Sequence, residues 1–342
     1  MEAVRSIPMT GYRAVSTFSG AGGASLGLRR AGFDVLWASE FVPAARDTYR
    51  VNFPAVYVDD RDIRAVPASD ILTATGLAVG ELDLLEGSPP CASFSVAGSR
   101  HAKWGKVSDY SDTKQRTDDL FYEYIRLIDG LQPKVFVAEN VAGLVKGSAI
   151  GYFKNIYRAM VNLGYKVQAQ TLKAEWLGVP QARTRLIFIG VRNDLNIDPK
   201  FPAPLPYRYT IRDAIPAISD PNAPPPDPTL SLSPALAAAY DDIPMGGSST
   251  KYFNMTRSHI DLPVPTVCTV AHNTCHPTER RLFSIKELKA LCGFPDDFIL
   301  TGTFRQQWER LGRAVMPPMY YHVGNVIKND ILDLATELRS DR

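Results

Sequence analysis

Short apolar segments recur through the first 140 residues, and each is followed by a turn or by a helical pattern. They occupy residues 14–18, 33–40, 56–58, 82–85 and 134–140. Strands that alternate with helices form βαβ units, so this order predicts an α/β fold built on a doubly wound, Rossmann-like parallel sheet. Ligands of such sheets bind beyond the carboxyl ends of the strands. Polar residues that follow these segments are therefore expected to surround one crevice.

A glycine-rich turn follows the first apolar segment and leads into a helical pattern that ends at residue 32. Gly20, Gly22 and Gly23 would let the backbone approach a ligand closely; the alternative is that they only form a tight turn between strand and helix. Glu40 ends the second segment, where a carboxylate can accept hydrogen bonds from ribose hydroxyls. Ser25 stands where a dinucleotide fingerprint requires its third glycine. A nucleoside cofactor without a pyrophosphate is therefore favoured.

A single cysteine, Cys91, follows Pro89 and Pro90 just beyond the fourth apolar segment. Two consecutive prolines fix φ and remove two backbone donors, so Cys91 is expected on a rigid loop at the edge of the sheet. A thiolate in that position can act as a nucleophile. The alternative is that Cys91 is a small buried hydrophobic side chain.

The composition excludes several classes of protein. A chain of 342 residues can form one large domain and a smaller one. Its net charge is only +2, so a nucleic-acid partner would have to be held by local basic patches. No apolar run approaches the roughly 18 residues that cross a bilayer, and the first residues lack the apolar core of a secretion signal. The four cysteines do not make a disulfide framework, which favours a cytoplasmic location.

Taken in chain order, the motifs resemble the DNA (cytosine-5) methyltransferase family from about residue 14 to about residue 327. The first half of the resemblance is carried by Phe18-Ser19-Gly20-Ala21-Gly22-Gly23, Glu40, Asp62-Ile63, Gly87-Ser88-Pro89-Pro90-Cys91 and Glu139-Asn140-Val141. The second half is carried by Gln181-Ala182-Arg183-Thr184-Arg185, Pro263-Val264-Pro265-Thr266-Val267, Arg281-Leu282-Phe283-Ser284 and Gly293-Phe294-Pro295-Asp296-Asp297-Phe298. Each motif alone is weak, but their number and order are specific.

The resemblance implies an enzyme that uses S-adenosylmethionine to methylate C5 of cytosine in double-stranded DNA. Cys91 would add to C6 of the base, and Glu139, in its protonated form, would bind N3 and the exocyclic amine. Arg183 would bind the base carbonyl, and Arg185 would support the site or a phosphate. The residues implied in cofactor binding are Phe18, Ser19, Gly20, Gly22, Gly23, Glu40, Asp62, Ile63, Pro89, Arg313, Ala314 and Val315.

The resemblance also implies a division of the chain. Residues 1–190 would form the catalytic, cofactor-binding domain, 191–275 a small proline-rich target-recognition region, and 276–342 a C-terminal segment that returns to the catalytic domain. A base inside a duplex must be flipped out to reach a thiolate, and the basic segment 93–117 is the candidate lid over it. We expect a monomer, with a cognate restriction enzyme only as a genetic partner.

Three positions depart from the family pattern. Ser88 replaces a glycine, Ala92 replaces a glutamine, and Gly312-Arg313-Ala314-Val315-Met316-Pro317-Pro318 stands where the family has Gly-Asn-Ala-Val-Pro-Pro. An arginine beside a sulfonium is unfavourable unless an anion compensates. One hypothesis is that Arg313 accommodates carboxy-S-adenosylmethionine, which would give 5-carboxymethylcytosine. The alternative is that Arg313 turns away and pairs with a nearby acid.

Two other functions stay open at this stage. An RNA methyltransferase acting on cytosine C5 of transfer RNA would use the same chemistry. A catalytically silent DNA-binding homologue is the other, although Cys91, Glu139 and Arg183 argue against it. No metal is predicted, because a candidate zinc cluster fits no common finger spacing. That cluster comprises Cys268, His272, Cys275 and His276.

Overall fold

The computed structural model describes residues 11–90, 108–111, 113–117, 119–219, 228–252, 255–269 and 274–340. Cys91, Ala92, His272 and most of the predicted lid lie outside the described residues. The part of the predicted lid that is described, residues 108–111 and 113–117, contains two short strands that pair antiparallel.

The described residues contain thirteen strands. They are β1 Tyr12–Thr17, β2 Phe33–Ser39, β3 Tyr57–Asp59, β4 Leu84–Gly87, β5 Ser108–Tyr110, β6 Thr113–Gln115, β7 Val135–Val141, β8 Tyr165–Lys173, β9 Gln181–Ala182, β10 Thr184–Arg192, β11 Thr256–Arg257, β12 Val264–Pro265 and β13 Thr274–Cys275. Seven of these strands form the central sheet, in the order β3-β2-β1-β4-β7-β10-β8. The others form three two-stranded pairs.

Eleven α-helices occur in the same part of the chain. They are α1 Gly23–Arg30, α2 Pro43–Asn52, α3 Ala68–Thr75, α4 Leu120–Leu131, α5 Ile150–Asn162, α6 Ile211–Ala214, α7 Pro234–Asp241, α8 Ile285–Leu291, α9 Phe304–Arg313, α10 Pro317–Ile327 and α11 Leu334–Ser340. A π-helical turn at Lys328–Asp333 joins the last two. None of the helices described is long and apolar enough to cross a membrane.

The prediction of a doubly wound α/β sheet is confirmed, with one difference in strand direction. The five apolar segments of the first 140 residues form β3, β2, β1, β4 and β7, which all pair in parallel. Strand β10 pairs antiparallel with both β7 and β8, so the sheet is not parallel throughout. The connection from β8 to β10 carries only a 3₁₀ turn at Ala174–Trp176 and the short β9. Parallel pairing would have required a longer crossover.

Alternating side chains of the strands enter two apolar cores, one on each face of the sheet. In β7, Val135 and Val137 join the core formed with α1 and α8 to α10. Phe136 and Ala138 join the core formed with α3, α4 and α5. This alternation follows from the two-residue period of a strand. Burial of such side chains on both faces stabilises the sheet by roughly 1.5–3 kcal/mol for each large side chain.

The C-terminal helices complete the first of these cores, and glycines let α10 approach α1 closely. A Cβ on Gly27 would lie 2.5 Å from the carbonyl oxygen of Pro317, and one on Gly324 would lie 2.7 Å from the Cβ of Ala31. Between residues 228 and 275, the described residues carry a 3₁₀ turn at Pro228–Leu230, the helix α7 and short strands. Their small separate apolar cluster contains Ala239, Tyr240, Ile243, Met255 and Cys275.

Candidate active site

A cavity of about 280 Å³ lies at the carboxyl ends of β1, β2, β4 and β7. It is the crevice in which a doubly wound sheet holds its ligand. Ten of the twelve residues predicted to bind the cofactor line it: Phe18, Ser19, Gly20, Glu40, Asp62, Ile63, Pro89, Arg313, Ala314 and Val315. The three predicted catalytic residues that the structure describes also line it: Glu139, Arg183 and Arg185.

Glu40 holds the glycine turn against the end of β2. Its Oε2 accepts the backbone N–H of Gly20 at 2.7 Å, and its Oε1 accepts that of Val42 at 2.6 Å. Burial raises the pKa of Glu40, and these two hydrogen bonds oppose the rise. Because a carboxylate has about four lone-pair sites, Glu40 can still accept hydrogen bonds from a ligand hydroxyl.

The placement of two predicted glycines differs from the expectation that they contact the cofactor. Gly22 has φ of +93°, and a Cβ there would lie 2.4 Å from Cε2 of Phe53. A Cβ on Gly23 would lie 2.0 Å from the carbonyl oxygen of Val315. Neither glycine is among the residues that line the cavity. Neither position has room for a Cβ, and Gly23 lies against the backbone of Val315, which lines the cavity.

Apolar side chains and an acid form the wall of the cavity near the end of β3. Ile63 is buried, whereas Phe41 is 38% exposed although its side chain is large and apolar. Asp62 accepts the backbone N–H of Arg64 at 3.0 Å. Sequence reasoning missed Phe41, and its only signal was its position directly after Glu40. This wall suits a flat base with polar groups at its edge.

The turn that precedes Cys91 is fixed by strands on both sides. Asn140 donates its Nδ2–H to the carbonyl oxygen of Pro89 at 3.1 Å, and the N–H of Ser88 donates to the carbonyl oxygen of Thr17 at 3.4 Å. Pro89 and Pro90 both line the cavity. The backbone is thus held in place up to the residue before Cys91.

Glu139 and Arg185 form an ion pair in the cavity wall. Nε of Arg185 lies 2.7 Å from Oε1 of Glu139, and the two side chains are 14% and 11% exposed. Strands β7 and β10 pair antiparallel with Arg185 opposite Val141. Because every second residue of a strand is on the same face, Glu139 is on the same face as Val141 and beside Arg185. The guanidinium can hold the carboxyl group at a fixed angle toward the cavity.

Arg183 has a different environment from the one that its predicted role implies. It is only 2% exposed, and its Nη1 and Nη2 both donate to the carbonyl oxygen of Gly312 at 3.1 Å. Nη2 also donates to the carbonyl oxygen of Ala314 at 3.1 Å. Burial and the neighbouring Arg185 lower the pKa of Arg183 to about 9. Arg183 thus supports the backbone that lines the cavity, and Arg185 is the arginine in contact with Glu139.

Arg313 pairs with an acid and also lines the cavity. Its Nε donates to Oε1 of Glu309 at 2.8 Å, and its Cζ lies 4.0 Å from the ring centre of Tyr110. Arg310 is 3% exposed and donates its Nη2–H to Oγ of Ser111 at 2.5 Å. Arg310 and Tyr110, which also line the cavity, were missed by sequence reasoning. The pair of strands β5 and β6 therefore contacts the C-terminal end of α9.

One member of the candidate zinc cluster, His272, lies outside the described residues. No group of three metal-ligating side chains occurs within the described ranges. Nδ1 of His276 accepts backbone N–H groups from Thr278 at 3.3 Å and Glu279 at 3.2 Å. Cys275 is buried in the small apolar cluster, and burial raises its pKa to about 11.

Known proteins provide independent evidence on the family. The profile of the C-5 cytosine-specific DNA methylase family matches residues 12–329. The Type II methyltransferase M1.HphI of Haemophilus parahaemolyticus is 34% identical over 89% of this chain and 83% of its own length. The Type II methyltransferase M.MthTI of Methanothermobacter thermautotrophicus is 29% identical over 92% and 97%, respectively.

A solved structure with the same fold is a prophage-encoded DNA modification methyltransferase of E. coli. It has a TM-score of 0.76 and 23% identity, and the match covers 94% of this chain and all of that one. The family profile spans most of the chain, and the sequence relatives match over most of their own length. The chain therefore belongs to the C-5 cytosine-specific DNA methylase family and is a DNA (cytosine-5)-methyltransferase.

Proposed function

We propose that this enzyme methylates C5 of a cytosine that is flipped out of double-stranded DNA, with Cys91 as the nucleophile. The observation that carries the proposal is the ion pair of Glu139 and Arg185 in the cavity that the glycine turn also lines. A base-binding acid and a cofactor turn in one cavity are what a transfer between two substrates requires.

The cavity suits S-adenosylmethionine. Glu40 offers a buried carboxylate for ribose hydroxyls, and Phe41 and Ile63 offer apolar walls for the adenine. Asp62 lies at the edge of this wall, where it can accept hydrogen bonds from the adenine amine. When bound, this cofactor supplies an electrophilic methyl group.

Each catalytic side chain has one step to perform. The thiolate of Cys91 forms a bond to C6, which makes C5 electron-rich enough to accept the methyl group. Glu139 binds N3 and the exocyclic amine of the base, while its ion-pair partner Arg185 orients it and donates to the base carbonyl. Loss of the C5 proton to solvent then leaves its electron pair to form the C5–C6 double bond, and Cys91 leaves C6 as a thiolate. Arg183 acts through the backbone of residues 312–314.

The remaining regions have roles in DNA binding. Base flipping costs a few kcal/mol of unstacking, and closure of the lid at residues 93–117 over the base would offset it. Residues 191–275 are assigned to target recognition and 276–342 to the catalytic domain. The Type II names of the relatives support a modification enzyme, with a cognate restriction enzyme as a genetic partner. A cytoplasmic monomer is sufficient for this role.

A second candidate activity uses carboxy-S-adenosylmethionine to form 5-carboxymethylcytosine. Its support is that Arg310 and Arg313 both line the cavity, whereas the one carboxylate of Glu309 lies 3.4 Å and 2.8 Å from them, respectively. Glu40 also attracts both guanidinium groups, so an additional carboxylate on the cofactor would add to the charge pairing that Glu309 and Glu40 supply. The pairing of Arg313 with Glu309 supports the simpler methyl transfer.

Mass spectrometry of nucleosides after reaction tests both candidates. Duplex DNA and transfer RNA are incubated separately with the enzyme and with either cofactor. We expect 5-methylcytosine in DNA with S-adenosylmethionine, and none with the Glu139→Gln variant. A product in RNA alone would replace the DNA assignment by the RNA one. The carboxymethyl activity is refuted if the carboxy cofactor gives 5-methylcytosine alone or gives no product.

A further inference from the structure

A buried carboxyl group, Glu86, lies in the centre of the sheet with no part in the chemistry proposed above. It belongs to β4, opposite Ser16 of β1 and Val137 of β7, and is 1% exposed. It forms no salt bridge with any residue that the structure describes. A buried carboxyl group is costly unless its hydrogen bonds are made, so its partners indicate what it does.

The hydrogen bonds of Glu86 reach both the cofactor turn and the catalytic turn. Oγ of Ser16 lies 2.6 Å from its Oε2, and Oγ of Ser19 lies 2.9 Å from Oγ of Ser16. On the other side, Oγ of Ser88 donates to its Oε1 at 3.3 Å. Ser19 and Ser88 both line the cavity. Glu86 thus hydrogen-bonds directly to Ser88 of the catalytic turn and, through Ser16, to Ser19 of the cofactor turn.

The groups that face Glu86 do not neutralise a negative charge. Glu139 approaches from β7, and the phenols of Tyr49, Tyr124 and Tyr320 approach from α2, α4 and α10. Burial raises the pKa of Glu86 to about 8, against the lowering effect of its two serine partners, and Glu139 adds to the rise. Glu86 is therefore mainly protonated near pH 7.

The proton of neutral Glu86 gives its hydrogen bonds a direction. With the proton on Oε2, Glu86 donates across its 2.6 Å contact with Oγ of Ser16, Ser16 donates to Oγ of Ser19, and Ser19 donates to the carbonyl oxygen of Ser16 at 3.0 Å. Each hydroxyl then donates one hydrogen bond, as its chemistry allows. In the ionised form, Ser16 donates to Oε2 of Glu86 instead. Ser19 then no longer receives a hydrogen bond from Ser16 and keeps only its own bond to the carbonyl oxygen of Ser16.

We propose that Glu86 is a positioning residue that couples the cofactor turn to the catalytic turn through Ser16, Ser19 and Ser88. Only the protonated form holds both turns in the arrangement that binds the cofactor. The inference rests on the proposed cofactor site, and it adds a residue that touches neither cofactor nor base.

Calorimetric binding of S-adenosylhomocysteine as a function of pH tests the role without requiring turnover. With a pKa of about 8, Glu86 keeps its proton in most molecules at pH 7 and in about one molecule in ten at pH 9. The Kd of the natural enzyme is therefore expected to rise about tenfold from pH 7 to pH 9. Glu86→Gln keeps an amide donor for Ser16 and an acceptor for Ser88, so its Kd should vary by less than about twofold over that range. Glu81→Gln, the same change at an exposed position, is the control and should keep the pH dependence of the natural enzyme.

Two results would overturn the positioning role. One is an identical pH dependence of Kd for the natural enzyme and Glu86→Gln. The other is a folded Glu86→Leu variant that binds S-adenosylhomocysteine as tightly as the natural enzyme near pH 7. Methyl transfer to DNA is measured in parallel. If methyl transfer is absent while cofactor binding depends on pH as expected, the proposed function is refuted and the role of Glu86 is retained.

Discussion

Replacement of Gly23 by alanine tests how the glycine turn builds the cofactor cavity. Gly23 is the first residue of α1 and has an ordinary helical conformation, so alanine is compatible with its backbone. The added Cβ would, however, lie 2.0 Å from the carbonyl oxygen of Val315. That oxygen belongs to the backbone and cannot rotate away. Residues 314 and 315, which line the cavity, must therefore move.

The expected loss of stability is the difference between two opposing effects. Overpacking of a close contact costs about 1–3 kcal/mol. The higher helix propensity of alanine returns up to about 1 kcal/mol, and less at the first position of a helix. We therefore expect Gly23→Ala to lower the free energy of unfolding by about 1–2 kcal/mol, and to weaken cofactor binding about tenfold because the wall moves.

Denaturant unfolding and calorimetric binding of S-adenosylhomocysteine measure the two effects. Gly151→Ala is the matched control, because Gly151 is also in a helix and a Cβ there meets nothing within 4 Å. Gly151 is the second residue of α5, so this control should raise the free energy of unfolding by less than about 1 kcal/mol and leave cofactor binding unchanged. Equal stability and equal affinity of Gly23→Ala and the natural enzyme would refute the packing role of Gly23.

Three further predictions concern charged groups of the site. Glu86 has a folded pKa of about 8, above its unfolded value of 4.5, so its contribution to stability is full at low pH and is lost as pH rises through this interval. The free energy of unfolding of Glu86→Gln, relative to that of the natural enzyme, should therefore rise by about 1.4 kcal/mol per pH unit between these two pKa values. Thermal unfolding at several pH values measures this difference, and a difference that does not change with pH would contradict the prediction. Arg185→Lys should lower kcat about 100-fold with little change in the KM for the cofactor, because lysine lacks the planar group that orients Glu139; an unchanged kcat would exclude that role. Glu309→Gln frees the guanidinium of Arg313 and should weaken S-adenosylmethionine binding several-fold by repulsion of the sulfonium, whereas unchanged calorimetric affinity would place Arg313 away from it.

Much of the fold could be predicted because burial on both faces leaves a strong pattern in the sequence. Strand β7 is apolar from Val135 to Ala138 since both cores need its side chains. Strand β8 is harder to find, because only three of its nine residues are buried. Its pairing with β10, and the antiparallel direction of both, depend on tertiary contacts that no local pattern encodes.

The site could be predicted as a set of residues more readily than as a set of roles. Thirteen residues that were predicted from the motifs line one cavity. The sequence does not distinguish Arg183 from Arg185, because both lie on the same short motif and the strand register decides which one meets Glu139. Gly22 and Gly23 likewise look like ligand-contacting glycines until their neighbours in space, Phe53 and Val315, are known.

The nucleophilic role of Cys91 is tested most directly by trapping on DNA that contains 5-fluorocytosine. Fluorine at C5 cannot leave as a cation, so the bond between the cysteine sulfur and C6 persists after methyl transfer. Long duplexes of varied sequence, in which every cytosine is replaced, avoid the need to know the target sequence. With S-adenosylmethionine present, the natural enzyme and the control Cys268→Ala should form a complex that survives denaturing electrophoresis, and Cys91→Ala should form none. A stable complex with Cys91→Ala, or no complex with the natural enzyme, would contradict the mechanism.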